Sequence, residues 1–164
     1  MAIATPPDIR IVHLAEVPAT AAVLADWFVA EWAPWYGPDG DGDAAADLAA
    51  RCRRDALPLA LVALDPGGGV LGTAALTAEA VADEPGAGPW LAALLVGPGH
   101  RGRGVGTALV AAIEAEARRL GFGAVYTSTD AADRIMARRG WLAVDTAATL
   151  RGPATVFCRR FDDR

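Results

Sequence analysis

One segment constrains this chain more than any other, the glycine-rich run Gly97-Pro98-Gly99-His100-Arg101-Gly102-Arg103-Gly104-Val105-Gly106-Thr107. An apolar, strand-like segment from Trp90 to Val96 leads directly into it, and an amphipathic helix of about residues 104 to 120 begins inside it. A strand-to-helix turn of this kind leaves several backbone N–H groups unpaired at the positive end of the helix dipole. The run therefore predicts a site for a pyrophosphate or a similar anion.

The residue types of the run fit that site. Gly102, Gly104 and Gly106 would let phosphate oxygens approach the backbone without meeting a Cβ atom. Arg101 and Arg103 would bring positive charge to the rim of the turn. Both features favour a turn that binds an anionic ligand over a turn that only connects a strand to a helix.

Two other phosphate motifs fit the run poorly. Residues 97 to 102 match the dinucleotide fingerprint G-x-G-x-x-G, but Pro98 and the later glycines delay the helix. No acidic residue ends a strand about 20 positions later, as a ribose-binding site requires. A Walker A loop is excluded because the chain contains no Gly-Lys-Ser/Thr.

The rest of the chain predicts the order β-α-α-β-β-β-α-β-α-β-β. Helix breakers, turn residues and apolar periodicity place the boundaries of these elements. The expected strands are about 9–13, 59–64, 70–77, 90–96, 124–127, 141–149 and 154–161, and the expected helices are about 19–34, 43–57, 104–120 and 130–139. Leu24, Phe28, Trp32 and Trp35 recur at helical spacing and predict the buried face of the first helix.

Composition limits the function classes. The length of 164 residues suits a single domain spanning 1–164, and no apolar run approaches the roughly 20 residues of a membrane span. The first residues do not resemble a secretory signal, so we expect a cytoplasmic protein. A net charge of −5 argues against a nucleic-acid partner, and Cys52 and Cys158 lack metal-ligand spacing, so we expect no metal.

The segment Leu94-x-Val96-x-Pro98-x-x-Arg101-Gly102-x-Gly104-Val105-Gly106 closely resembles the acetyl-CoA motif of the GNAT superfamily of acetyltransferases, whose core is Gln/Arg-x-x-Gly-x-Gly/Ala. The predicted element order matches that superfamily over nearly the whole chain. The resemblance implies an α/β (α+β) fold: a mixed, mostly antiparallel sheet of about seven strands with four helices. Strands four and five of this fold splay apart.

The resemblance also implies acetyl-CoA as the cosubstrate. Backbone groups of the fourth strand would bond the pantetheine amides, and a nearby N–H, that of Leu95, would polarise the thioester carbonyl. The acceptor amine would attack the thioester directly, without an enzyme nucleophile. The cofactor-binding residues implied are Leu94, Leu95, Val96, Arg101, Gly102, Arg103, Gly104, Val105, Gly106 and Thr107.

The implied mechanism also needs a base for the amine and an acid for the departing thiolate. The general-base candidates are Glu31, Asp83 and Glu84, each of which also reads as a solvated surface acid. The family often uses a Tyr after strand five to protonate the departing thiolate, in the pattern Asn-x-x-Ala-x-x-Leu-Tyr-x-x-x-Gly-Phe. Here Met136 occupies the Tyr position, which methionine cannot replace as an acid, and Thr129 the Asn position. Tyr126, Ser128 or a water are the expected substitutes.

The acceptor cleft of the family lies between the loop after helix one and the last hairpin. The first of these carries Trp35 and Tyr36 with Asp39, Asp41 and Asp43, which suits a cationic amine. The acceptor itself stays open among a small polycation, an aminoglycoside-like compound, an amino acid and a peptide N-terminus. A non-catalytic acyl-CoA sensor, a different acyl-CoA and a hydroxyl acceptor are the alternatives. The resemblance also allows a homodimer.

Overall fold

The computed structural model of the protein describes residues 8–78 and 88–161. Seven strands form one sheet: β1 (Arg10–His13), β2 (Leu59–Leu64), β3 (Val70–Thr77), β4 (Trp90–Val96), β5 (Ala124–Thr129), β6 (Leu142–Thr149) and β7 (Gly152–Arg160). Their order across the sheet is β1-β2-β3-β4-β5-β7-β6. Only the β4–β5 pair is parallel. The predicted mixed, mostly antiparallel seven-stranded sheet is confirmed.

The described helices are α1 (Ala21–Glu31), α2 (Ala33–Tyr36), α3 (Ala44–Ala50), α4 (Val105–Arg119) and α5 (Asp133–Arg138). A 3-10 turn, Pro18–Thr20, leads into α1. Helix α4 packs on one face of the sheet, where Leu109 and Ile113 are fully buried against β2 and β3. Helices α1 and α3 cover the other face through Leu24, Phe28 and Leu48.

The prediction of a single helix over about 19–34 was wrong, because the segment divides at Trp32. The backbone of Trp32 leaves helical geometry, with φ −120° and ψ 50°. Pro34 explains the division, since its ring lacks an N–H and would clash with the carbonyl four residues earlier. Four helices were expected, and the described part of the chain has five α-helical segments for this reason.

The second predicted helix, about 43–57, is shorter than expected. Asp43 caps it, with its carboxylate accepting from the Ala46 N–H at 3.0 Å, but the helix ends at Ala50. Residues 53 to 56 are all exposed, so a longer helix would have no apolar face to bury there. The chain instead returns to the sheet, where the Ala60 N–H donates to the Arg51 carbonyl.

None of the helices in the described part of the chain has the length and apolarity that crossing a membrane requires.

Candidate active site

Strand β4 carries a bulge in its middle. Thr73 pairs with Leu95 and Ala75 pairs with Ala92, so two β4 residues, Ala93 and Leu94, face one residue of β3. Ala93 accommodates the extra residue with φ +53°, in left-handed geometry that few non-glycine residues adopt. The bulge redirects the backbone of β4 where it lines the cavity described next.

Strands β4 and β5 separate beyond their first pair. They are in register only at Trp90 and Tyr126, and the Thr127 hydroxyl still reaches the Leu91 carbonyl at 2.8 Å. Beyond this point lies a cavity of about 630 Å³. Its walls come from the β4 segment 90–94, the β5 segment 127–130, α2 and the β6–β7 hairpin. The predicted splay is confirmed, and the splay opens into this cavity.

The glycine-rich turn follows β4 and leads into α4. Gly102 and Gly104 have φ of +75° and +84°, which only glycine adopts without strain. The first helical hydrogen bond runs from the Ala108 N–H to the Gly104 carbonyl at 3.0 Å. The N–H groups of Val105, Gly106 and Thr107 therefore precede the bonded part of the helix and are oriented for an anion.

Residues 24–141 match the model of the acetyltransferase (GNAT) family. The chain belongs to that family. A comparison with curated protein sequences gave no significant match.

Solved structures similar to this GNAT chain cover nearly all of it. An aminoglycoside 6'-N-acetyltransferase solved with coenzyme A is 16% identical, covers 94% of this chain and 98% of its own, and has a TM-score of 0.73. YncA from Salmonella typhimurium, solved with its cofactor acetyl-CoA, is 19% identical over 96% of each chain, with a TM-score of 0.73. A GCN5-related N-acetyltransferase from Rhodopseudomonas palustris is 25% identical, covers 98% of this chain and 99% of its own, and has a TM-score of 0.63.

The candidate base Glu31 of this GNAT domain lies at the end of α1, within an ion-pair network. One carboxylate oxygen is 3.3 Å from the Arg101 guanidinium, and the other is 3.7 Å from that of Arg151. Arg151 in turn pairs with Asp130 at 3.4 Å. Glu31 is not among the described residues that line the cavity, whereas Arg151 and Asp130 are.

The two arginines expected at the pyrophosphate make other contacts here. The Arg101 Nε donates to the Val96 carbonyl at 3.3 Å besides its contact with Glu31. Arg103 lies 3.9 Å from the Asp8 carboxylate. Both side chains are more than half exposed, so a ligand at the turn could attract either of them with little loss of packing.

The structure does not bring Tyr126 to the cavity. Its ring packs on Trp90, with ring centroids 5.5 Å apart, and burial followed by a hydrogen bond with Cys158 raises its pKa. Met136 does line the cavity and is fully buried. The Thr129 hydroxyl accepts from the Ala132 N–H at 2.9 Å, in the turn that precedes α5. Tyr126 as the acid stays a prediction.

Trp35 and Tyr36, which the sequence predicts at the acceptor, line the cavity beside Trp32, and their acceptor role stays a prediction. Burial, reinforced by a 2.6 Å hydrogen bond to Asp47, raises the pKa of Tyr36 to about 12, so the phenol is neutral at ordinary pH. The expected carboxylates are elsewhere. Asp43 caps α3, and Asp39 and Asp41, like Asp43, are not among the described residues that line the cavity.

Several residues of the site were not predicted. Arg51 lines the cavity from the end of α3, and the ion-paired Asp130 and Arg151 line it from the end of β5 and from the β6–β7 hairpin. Trp27 packs so closely on the turn that a Cβ at Gly97 would lie 2.4 Å from its ring. Glu84 and Asp83, proposed as bases, fall within 79–87 and lie outside the described residues.

The strain at Ala93 can be measured. Left-handed geometry costs a non-glycine residue roughly 1–2 kcal/mol, and a glycine at the same position avoids this cost. Part of the resulting stabilisation is lost because glycine makes the unfolded chain more flexible. We expect Ala93→Gly to raise the free energy of unfolding by about 0.5–1 kcal/mol. Ala92→Gly, one residue earlier in ordinary strand geometry, should lower it by a similar amount. Equal losses in urea unfolding of the two variants would show that Ala93 is not strained.

Proposed function

We propose that the protein transfers the acetyl group of acetyl-CoA to the amine of a small molecule or peptide. One observation supports this most: the bulged strand β4, the splay beside β5 and the aromatic acceptor wall border one continuous cavity. A thioester held along β4 and an amine entering from the α2 side would then meet in the same space. The structures solved with coenzyme A and acetyl-CoA belong to proteins of this fold.

The cosubstrate would be held by the turn and by β4. The N–H groups of Val105, Gly106 and Thr107 would bind the pyrophosphate, aided by Arg101 and Arg103. Backbone groups of Leu94 and Val96 would bond the pantetheine amides. An N–H near the bulge, that of Leu95, would stabilise the oxyanion, a contribution of about 3 kcal/mol in other acyl-transfer enzymes.

The reaction would proceed by direct attack. The amine nitrogen forms a bond to the thioester carbonyl carbon, the carbon–sulfur bond breaks, and the thiolate leaves. Neither Cys52 nor Cys158 is among the described residues that line the cavity, which argues against an acyl-cysteine intermediate. The amine must be neutral to attack, so its proton passes to a base, and the thiolate takes up a proton from an acid or from solvent.

Glu31 is the base that we favour among the candidates. Its carboxylate contacts Arg151, which lines the cavity, and Arg101, which belongs to the glycine-rich turn. This position lies between the proposed cosubstrate and acceptor regions, from which a carboxylate could accept a proton through one solvent molecule.

Replacing the carboxylate tests the role of Glu31. We expect Glu31→Gln to lower kcat by about 10²-fold, the lower end of the range for general acid–base catalysis, while acetyl-CoA still stabilises the protein. Asp26→Asn, an exposed change on the same helix, is the control and should leave kcat unchanged. An unaltered rate and pH profile in Glu31→Gln would show that Glu31 is not the base and would leave Glu84 as the candidate.

A second candidate function is a non-catalytic acyl-CoA sensor, which Met136 favours because it stands where the family often has an acidic Tyr. Turnover separates the two. The protein is incubated with acetyl-CoA and a panel of amines while free thiol is followed. Acceptor-dependent thiol release supports the transferase, and tight acetyl-CoA binding without thiol release from any acceptor supports the sensor.

A further inference from the structure

Arg51 is a buried cation in the wall of the cavity. It follows the last residue of α3, and the residue is only 7% exposed although its guanidinium is charged at every ordinary pH. Its Nη1 is buried and has no hydrogen-bond partner. Arg51 is among the described residues that line the cavity, as Trp35 and Tyr36 are, so this buried cation belongs to the acceptor wall.

The nearby carboxylates are engaged with other groups. Asp47, one helical turn before Arg51, accepts the Tyr36 hydroxyl at 2.6 Å. Asp130 pairs with Arg151 at 3.4 Å. No carboxylate in the described ranges 8–78 and 88–161 forms an ion pair with Arg51.

The backbone of Arg51 is fixed on both sides. Its N–H donates to the Leu48 carbonyl at 3.1 Å, and its own carbonyl accepts from the Ala60 N–H of β2 at 3.1 Å. The guanidinium therefore extends from a rigid junction between α3 and the sheet. A buried charge at such a junction destabilises the fold unless an anion accompanies it, because it has lost its hydration.

The charged residues around the cavity also favour an acceptor with an anionic group. Among the described residues that line it, the charged ones are Arg51, Asp130 and Arg151. Asp130 is already paired with Arg151, so Arg51 has no ion-pair partner among these lining residues. A polycationic acceptor would meet an uncompensated positive charge in this wall, whereas an acceptor with an anionic group would neutralise it.

We propose that Arg51 binds a carboxylate of the acceptor, so that the acceptor is a small amino-carboxylate such as an α-amino acid. The proposal rests on the proposed function and narrows its substrate class. A planar guanidinium matches a carboxylate through paired N–H donors, which fits this group better than a point charge would. The aromatic wall of Trp32 and Trp35 then contacts the side chain of the acceptor.

Matched pairs of acceptors test the proposal. Proteinogenic amino acids and their carboxamides are compared in the thiol-release assay, since each pair differs at the carboxylate and keeps the amine. We expect kcat/KM to favour the amino acid by about 10²-fold in the wild type, as a site built for a charged group rejects analogues lacking it. Arg51→Met should remove this preference, so that kcat/KM for the amino acid falls to about that for its carboxamide.

The control variant is Arg54→Met, which removes an exposed arginine three residues later and should keep the preference. Thermal unfolding distinguishes binding from a structural role. If Arg51 only supported the fold, Arg51→Met would lower Tm, whereas removing an uncompensated buried charge should leave Tm unchanged or raise it. Equal wild-type rates with acids and carboxamides, or equal losses on both in Arg51→Met, overturn the proposal.

A second experiment distinguishes failure of the carboxylate site from failure of the proposed transferase function. If no amine releases thiol, the same amino acids and carboxamides are tested as stabilisers in thermal unfolding with acetyl-CoA present. Stabilisation of the wild type by amino acids, absent with carboxamides and absent in Arg51→Met, supports the carboxylate site without catalysis. No stabilisation of the wild type by any amino acid rejects the site as well.

Discussion

Gly104→Asp should abolish the stabilisation of the protein by acetyl-CoA. Gly104 is the residue that precedes α4, with φ +84°, and its carbonyl accepts the first helical hydrogen bond. An aspartate there would offer its own carboxylate to the free N–H groups of the helix and would repel a pyrophosphate. At a hundred times Kd, acetyl-CoA should add about 2.7 kcal/mol to the wild-type free energy of unfolding.

That free energy corresponds to a rise in Tm of roughly 5–10 °C for a chain of this length, and Gly104→Asp should show almost none of it. Gly68→Asp is the matched control. Gly68 lies in the β2–β3 turn with φ +89°, so the same substitution introduces similar backbone strain far from the proposed ligand. A full acetyl-CoA shift in Gly104→Asp would place the pyrophosphate somewhere other than this turn.

The strands of the central sheet could be predicted closely from the sequence. The bounds of β2, β3 and β4 agree with the prediction because each is a short apolar run between turn residues. The Asp65-Pro66-Gly67-Gly68-Gly69 turn explains why β2 and β3 form a hairpin. Local signals of this kind do not depend on the rest of the fold.

The helices whose ends differ from the prediction end where tertiary packing or a single residue stops them. Pro34 divides the first helix even though the apolar spacing continues through Trp35. Helix α3 stops where its buried face ends, which cannot be read from residues 51–57 because helix propensity alone would continue through them. Burial decides these ends, and burial is known only once the sheet is assembled.

Some residues of the candidate site could also be predicted from local sequence, and others could not. The glycine-rich turn could be located because its backbone conformation depends on local residue types, as the positive φ values of Gly102 and Gly104 illustrate. Ala93 carries no such signal, since the bulge arises from the register of β4 against β3. Arg51 reads as a surface residue in the sequence, and only the packing of α3 on the sheet buries it.

Met136→Tyr should increase turnover by roughly 10²- to 10⁴-fold, the range that a positioned general acid contributes. Met136 is fully buried and lines the cavity, and its backbone N–H donates to the Ala132 carbonyl within α5. In the proposed mechanism the thiolate leaves into this cavity, so a phenol at position 136 could protonate it. Of the expected substitute donors, Ser128 lines the cavity and Tyr126 is not among the described residues that do, so the proposed thiolate would otherwise take its proton from the Ser128 hydroxyl or from water.

The variant Met136→Phe distinguishes the effect of the tyrosine proton from the effect of an aromatic ring at this position. Both variants place an aromatic ring in the same pocket and face the same packing strain, but only tyrosine can donate. Turnover should rise in Met136→Tyr alone and should fall at high pH as the added phenol ionises, near pH 10 for an unperturbed tyrosine. Equal rates in the two variants would mean that departure of the thiolate does not limit turnover or that another group already protonates it. In the second case the wild type would itself lose activity as that group deprotonates, so the wild-type pH profile decides between these two explanations.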